Sequence, residues 1–306
     1  MTDRIKVGLA GYPAPAGLTP AAQVEWWIDE ARRLDLDVVP VPTRGFRTPD
    51  GEFDLDTLRR LRARADEAGL VIEPGVDHVF GLASHDATMI RAAERSFRAA
   101  TILGGPYCRT GYGRLEVATS RFNLDIPLRD HLATLTASLR EAARIAEAAG
   151  IVIAVENHCD FRGPELAQML ADVNSPHLRA LLDTGNSYTV FSDPDVDVAA
   201  LAPWTVMTHV KDMRVEARIH DGEVPFRVVG CAIGEGHVDV ENAIRLVFAQ
   251  GDRGTEIPLV VETGWLSLPP GEDPVQARRD ALIRSAARIR EMVTGVESAR
   301  ELAATR

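Results

Sequence analysis

Ile151-Val152-Ile153-Ala154-Val155-Glu156-Asn157-His158 carries five apolar residues without a break into a carboxylate, an amide and an imidazole. A strand with one wet face alternates apolar and polar residues. An uninterrupted apolar run fits a strand covered on both faces by helices, as in parallel sheets, and its first polar residues mark the end at which it emerges. The same design recurs downstream: Leu178-Arg179-Ala180-Leu181-Leu182 meets Asp183, Thr205-Val206-Met207-Thr208 meets His209, and Pro258-Leu259-Val260-Val261 meets Glu262. These strand ends deliver Glu156, Asp183, His209 and Glu262. Carboxylate oxygens and an imidazole nitrogen are the ligands that manganese, magnesium, cobalt or zinc accept. A single acid at a strand end is as often a helix cap, and a lone His is more often a core residue, but four polar groups at successive strand ends point to one metal site.

Working outward, apolar runs alternate with amphipathic Ala- and Arg-rich stretches, the pattern of parallel strands joined by helical crossovers. Eight such units are expected. Strand one is read as Ile5 to Ala10, followed by a helix opened by Thr19-Pro20, a capping hydroxyl before a proline. Strand two is Leu36 to Val39, with a helix from Asp54 to Ala68 closed by Gly69. Strand three is Leu70 to Glu73, with a helix from Ser84 to Arg98, and strand four is Ala99 to Leu103. A long connection from Gly104 to Arg129 then carries Tyr107, Arg109, Tyr112, Arg114, Arg121 and Phe122, which reads as a substrate cover. A second connection, Met213 to Asp239, contains a hairpin signal at Asp221-Gly222. The last helix starts at Asp273-Pro274 and is read to Val293. The expectation is a single-domain (β/α)8 TIM barrel over residues 1–295 with a tail at 296–306, its site at the C-terminal ends of the strands.

Composition narrows the classes. The chain has 306 residues, 45% of them hydrophobic and 26% charged, and no apolar run approaches the roughly 20 residues of a membrane helix. A net charge of −11 argues against nucleic acid as a partner, because phosphate contacts need clustered Lys and Arg. Cys108, Cys159 and Cys231 are too few and too odd in number for a disulfide framework. The first residues lead directly into a strand without the apolar stretch of a signal peptide, so a cytoplasmic location is expected.

Val155-Glu156-Asn157-His158, Leu182-Asp183-Thr184-Gly185-Asn186, His209-Val210-Lys211-Asp212, Gly234-Glu235-Gly236 and Val261-Glu262-Thr263-Gly264-Trp265 resemble the xylose-isomerase-like barrels, which include sugar isomerases, epimerases and endonuclease-IV-like proteins. The resemblance implies that Glu156, Asp183, His209 and Glu262 hold one divalent metal, manganese foremost. Trinuclear-zinc members carry further ligands where this chain has Asn186, Val228 and Gly230. Ketose 3-epimerases carry a Glu, a His and an Arg where it has Arg162, Asn186 and Val215.

His158, two residues beyond Glu156, shares its facing direction if the strand persists and is the natural general base. Glu-X-His is similar to the large subunit of bacterial C-glycoside deglycosidases, which act on 3-oxo-glycosides with a small β-rich partner subunit. The expected chemistry is enolisation of a keto-sugar assisted by the metal. The expected enzyme is a lyase that enolises the keto-sugar and eliminates a leaving group, with His158, Glu156 and Glu262 as catalytic groups, and C-deglycosylation of a 3-oxo-C-glycoside is its sharpest version. The alternative is a sugar isomerase or epimerase, in which Glu262 serves the opposite face. Arg162, Asn186, Lys211, Trp265 and Tyr107 are the expected substrate contacts, and an oligomer is expected. A retaining glycosidase built on Glu156 and Glu262 would not need Asp183 and His209 between them.

Overall fold

The computed structural model describes residues 5–304 except 106, 114, 115, 219–221, 223, 252, 269 and 270, and leaves undescribed the side chains of 255 and 297–304. Ten strands follow in chain order: β1 (Val7–Ala10), β2 (Val38–Pro42), β3 (Val71–Gly75), β4 (Tyr107–Gly111), β5 (Val152–Glu156), β6 (Leu178–Asp183), β7 (Thr205–Val210), β8 (Asp212–Ala217), β9 (Phe226–Cys231) and β10 (Leu259–Glu262). The first seven and β10 close a parallel barrel in the order β1-β2-β3-β4-β5-β6-β7-β10. Around it run α1 (Pro20–Arg33), α2 (Leu55–Glu67), α3 (Ala87–Leu103), α4 (Leu128–Ala149), α5 (Gly163–Val173), α6 (Pro194–Leu201), α7 (Val240–Gln250) and α8 (Pro274–Ala304). The (β/α)8 architecture expected from the apolar runs is the one observed. No helix among the described residues is long and apolar enough to cross a membrane.

Local chemistry sets the boundaries. The Thr19 hydroxyl accepts from the Ala22 amide at 3.3 Å, with Pro20 as the first helical residue, so α1 begins where the sequence marks it. Gly150 ends α4 in the left-handed region at φ 66°, where a side chain would be strained. Register then aligns the strand ends: Asp183 of β6 lies beside His209 of β7, and Glu262 of β10 beside Ala10 of β1. Below this rim the interior is filled by Ala154, Leu181, Val206, Met207 and the ring of Tyr107.

Strand four departs from expectation. Ala99 to Leu103 is not a strand but the last turns of α3, which ends at Gly104. Ala93, Phe97, Ala100 and Leu103 are all fully buried, at the three- and four-residue spacing of one helical face. The actual β4 is disguised by an Arg, because Arg109 points into the barrel at its polar end. Strand two also runs on, through Pro42, and α8 passes residue 295 unbroken, with Val296 still buried against the core. Beyond β7, β8 and β9 pair antiparallel as the hairpin expected there. Its Asp221 lies outside the described residues.

Candidate active site

Glu156, Asp183, His209 and Glu262 converge at the C-terminal ends of β5, β6, β7 and β10. Each offers one donor atom, and the four atoms lie within 4.8 Å of one another. The first three are buried, while Glu262 keeps 27% of its side chain exposed at the barrel mouth. His209 Nδ1 is 2.7 Å from Glu262 Oε2 and 3.9 Å from Glu156 Oε1. On the other edge of the ring, His209 Nε2 meets Glu73 Oε1 at 3.0 Å. Lys211 Nζ lies 2.9 Å from Asp183 Oδ2 and 3.4 Å from Glu262 Oε1, and donates to Asn186 Oδ1 at 3.1 Å. Arg109 approaches Glu73 at 3.0 Å and Glu156 at 3.6 Å.

The charges show what such a cluster could hold. The carboxylates of Glu73, Glu156, Asp183 and Glu262 face two permanent cations, Arg109 and Lys211, so two negative charges remain, the complement of a divalent ion. Buried charge of one sign is costly unless paired. His209 Nδ1 and Asp183 Oδ2 are moreover buried without an aligned hydrogen bond, and both belong to the converging set. The donor set and its orphaned atoms therefore fit a divalent metal. Without one, protons take over part of the compensation. Burial raises the Asp183 carboxyl, although Lys211 pulls the other way. Burial opposes charging of His209, but Glu73 and Glu262 outweigh it and lift the imidazole to about 10. For Glu262, burial is overcome by Lys211 and His209, which hold it well below the usual carboxylate range.

Neighbouring residues of the same motifs staple the rim. Asn157 Nδ2 donates to the Asp183 carbonyl at 2.9 Å while its Oδ1 accepts from the Asp183 amide at 2.7 Å, locking the ends of β5 and β6. Thr184 does the same for β7, donating to the Lys211 carbonyl at 2.6 Å and accepting from its amide at 2.8 Å. The buried Asp212 carboxylate accepts from the amides of Met213, Gly234, Gly236 and Val238 at 2.8 to 3.2 Å. A Cβ on Gly236 would strike that carboxylate, which accounts for Gly-X-Gly at this turn. Asp212→Ala leaves these amides without their acceptor and is expected to destabilise the fold by about 3 kcal/mol or more, read from denaturant midpoints.

The expected substrate contacts divide. Asn186 and Lys211 are buried inside the cluster, with Asn186 Nδ2 also donating to Glu156 Oε1 at 3.2 Å. Trp265 stands at the mouth, 42% exposed, with its ring centroid 4.7 Å from Lys211 Nζ. Tyr107 does not belong to a cover. It opens β4 beside Val152, at the end of β5 away from Glu156, and its ring packs under the Arg253 guanidinium. With strand four placed correctly, the connection over the mouth begins at Tyr112. Arg162 is exposed and donates to the Val190 carbonyl at 3.2 Å, beside the connection after β6. Arg114 lies outside the described residues.

The strand ends at Glu156, so His158 owes its direction to hydrogen bonds rather than to strand alternation. Its Nδ1 faces two carbonyl oxygens, of Gly113 at 2.9 Å and Tyr112 at 3.1 Å, so this nitrogen carries a proton. Nε2 faces the Cys159 thiol at 3.7 Å. Burial opposes its charging, but Cys159 and Glu156 lift His158 to about 9. The connection that supplies those carbonyls is anchored in turn. Buried Asp160 accepts from the Arg121 amide at 2.6 Å and pairs with His131, and Arg121 forks onto Glu165. Glu73 was not singled out in the sequence, and Arg109, read there as part of the substrate cover, lies instead on β4 against Glu73 and Glu156. For Glu73 the signal was present: Leu70-Val71-Ile72 meets Glu73 in the same apolar-then-acid design.

A family profile described as xylose isomerase-like TIM barrel matches residues 28–291. The chain belongs to the xylose isomerase-like TIM barrel family. A curated relative, the 2-epi-5-epi-valiolone 7-phosphate 2-epimerase of Actinoplanes sp., is 34% identical over 158 residues, which make up 50% of this chain. The match spans about half of that relative, 54% of its length. Among solved structures, an L-ribulose 3-epimerase superposes with a TM-score of 0.68 at 15% identity, covering 98% of each chain. A xylose isomerase-like TIM barrel protein from Mycobacterium smegmatis in complex with magnesium gives a TM-score of 0.67 at 16% identity, covering 95% of this chain and 97% of the other. At these identities the structural likeness is one of fold, and members of the xylose isomerase-like family on this scaffold are told apart by their sites.

Proposed function

We propose that this chain is a divalent-metal-dependent epimerase or isomerase that moves a proton at the carbon beside the keto group of a sugar or sugar-like polyol. The observation that carries the reading is the meeting of Glu156 and Glu262 with Asp183 and His209 in one cluster, three of the four buried and Glu262 partly exposed. The epimerase named among its relatives supports the reaction class. Glu156, Asp183, His209 and Glu262 would hold the ion, manganese or magnesium. Bound there, it supplies Lewis-acid polarisation of the carbonyl, worth several kcal/mol.

The protein's own groups do the rest. Glu262, the most open of the four, takes the α-proton as a base. Glu156, taking a proton from solvent, delivers it to the other face, and the proton held by Glu262 passes to solvent. Lys211, held cationic among Asp183, Glu262 and Asn186, faces the negative charge that develops on the enediolate oxygens, and the Trp265 ring above it screens the site from water.

A second reading, elimination of a β-leaving group as in cleavage of a 3-oxo-C-glycoside with a partner subunit, has one observation behind it: the carbonyls of Tyr112 and Gly113 hold His158 by Nδ1 and leave Nε2 clear of the backbone. With its pKa at about 9, however, His158 is mostly protonated at neutral pH, which suits an acid better than a base. His158→Ala is therefore expected to keep α-proton exchange within about tenfold of wild type, whereas a His158 base would make the loss about 10²–10⁴-fold. The deciding experiment is proton NMR in deuterated water on a panel of keto-sugars with manganese added back to stripped protein. Exchange with sugar interconversion supports the epimerase or isomerase. Exchange with release of a leaving group moves the assignment to the lyase, and absence of exchange across the panel counts against both.

A further inference from the structure

Glu73 closes the apolar run of β3 and is 1% exposed, yet it is not among the four converging donors. It lies against the far nitrogen of His209: Nε2–H donates to Glu73 Oε1 at 3.0 Å, while Nδ1 faces Glu262 and Glu156. The two ring nitrogens point in divergent directions, so a carboxylate at Nε2 does not share an ion held at Nδ1. Behind Glu73 stands Arg109, with Nε 3.0 Å from the same oxygen and Nη1 3.6 Å from Glu156 Oε2. One guanidinium thus braces the carboxylate that grips the ring and a carboxylate of the cluster.

We infer that Glu73 is a positioning residue that fixes the rotation and tautomer of His209, presenting Nδ1 to a divalent cation. The inference rests on the metal-dependent reading of the site. Its physical basis is the carboxylate–histidine pair: an acceptor at one ring nitrogen holds the proton there, leaves the other nitrogen as the ligand, and raises its donor strength. A free imidazole rotates and exchanges tautomers, so only part of its population would offer Nδ1 toward Glu156, Asp183 and Glu262. Arg109 contributes by keeping Glu73 from swinging into the cluster. The geometry also explains why an acid is tolerated at a fully buried position on a barrel strand, since its charge is matched by Arg109 and its oxygen is used by His209.

The test compares wild type, Glu73→Gln and Glu73→Leu after chelator stripping, titrating Mn2+ by calorimetry and recording histidine 15N spectra of the magnesium-loaded proteins. Glu73→Leu should bind Mn2+ roughly 10–100-fold more weakly, the usual loss on removing such a partner, and the Nε2–H of one histidine ring, protected by its carboxylate in wild type, should exchange with solvent and fade from the spectrum. Glu73→Gln, whose amide oxygen still accepts from Nε2–H but carries no charge, should bind about three- to tenfold more weakly and keep the protected Nε2–H signal. Wild-type affinity and an unaltered spectrum in Glu73→Leu overturn the inference while leaving the metal site intact. Should circular dichroism show Glu73→Leu unfolded, Glu73→Gln decides: unchanged affinity overturns the inference. A wild type that binds no Mn2+ overturns the metal reading, and this inference with it.

Discussion

Removing divalent metal with a chelator is expected to abolish α-proton exchange, and manganese should restore it with an affinity that rises as the pH rises. The sign follows from His209. In the metal-free cluster the imidazole is lifted to about 10, because Glu73 and Glu262 outweigh the cost of burying its charge. A cation at Nδ1 requires that nitrogen bare, so below about pH 10 each incoming ion displaces a proton. The apparent affinity should therefore fall about tenfold for each pH unit below that value, or about 1.4 kcal/mol per unit. Asp183, also raised by burial, steepens the slope toward acid. Calorimetry at several pH values, in buffers of different ionisation enthalpy, measures both the slope and the proton released. A flat profile would mean that His209 is not the ligand.

The same protonation has an opposite consequence for the metal-free fold. A group whose native pKa lies above its unfolded value stabilises the native state below the unfolded pKa, about 6.5, and that contribution disappears as the pH climbs through about 10. Metal-free protein should thus melt progressively lower between those limits, while metal-loaded protein, with His209 already deprotonated at Nδ1, should lack that slope. Thermal melts of the two forms across this range separate the His209 contribution from general alkaline instability.

How far the sequence could be read depended on how cleanly each strand separates its apolar body from its polar end. β5, β6, β7 and β10 do so, and Glu156, Asp183, His209 and Glu262 stand in the sequence as they stand in the barrel, one step apart around its rim. β4 does not: Arg109 sits in its middle and faces the cluster, so its five residues Tyr107–Gly111 read as loop, and the more apolar end of α3 took its place. That single displacement also carried Tyr107 into the supposed cover, when its ring belongs to the packed layer beneath the site. Glu73 was visible as a strand end, but its role depends on which nitrogen of a distant His it meets, 136 positions away, and no local pattern encodes that. The direction of His158 was hidden for a similar reason, because backbone carbonyls from the connection after β4 set it rather than the pleat of its own strand.

The most discriminating substitutions are expected to be Glu262→Gln and Glu156→Gln. If each carboxylate serves one face of the substrate, removing either stops interconversion in both directions, since the proton must be taken on one side and returned on the other. The expected loss in turnover at saturating manganese is about 10²–10⁴-fold, the usual contribution of a positioned acid or base. Exchange with solvent should nevertheless survive asymmetrically. The epimer whose α-proton faces the remaining carboxylate can still be deprotonated and reprotonated on that face, and should wash out its label without being converted, whereas the other epimer should retain it. Glu156→Gln should give the mirror image of Glu262→Gln. Weakened metal binding alone would depress exchange of both epimers equally and recover as manganese is raised, so a symmetric, metal-rescued loss would reduce Glu156 and Glu262 to ligands only. An elimination initiated by His158 would show neither pattern, because its proton is taken from one face and never returned.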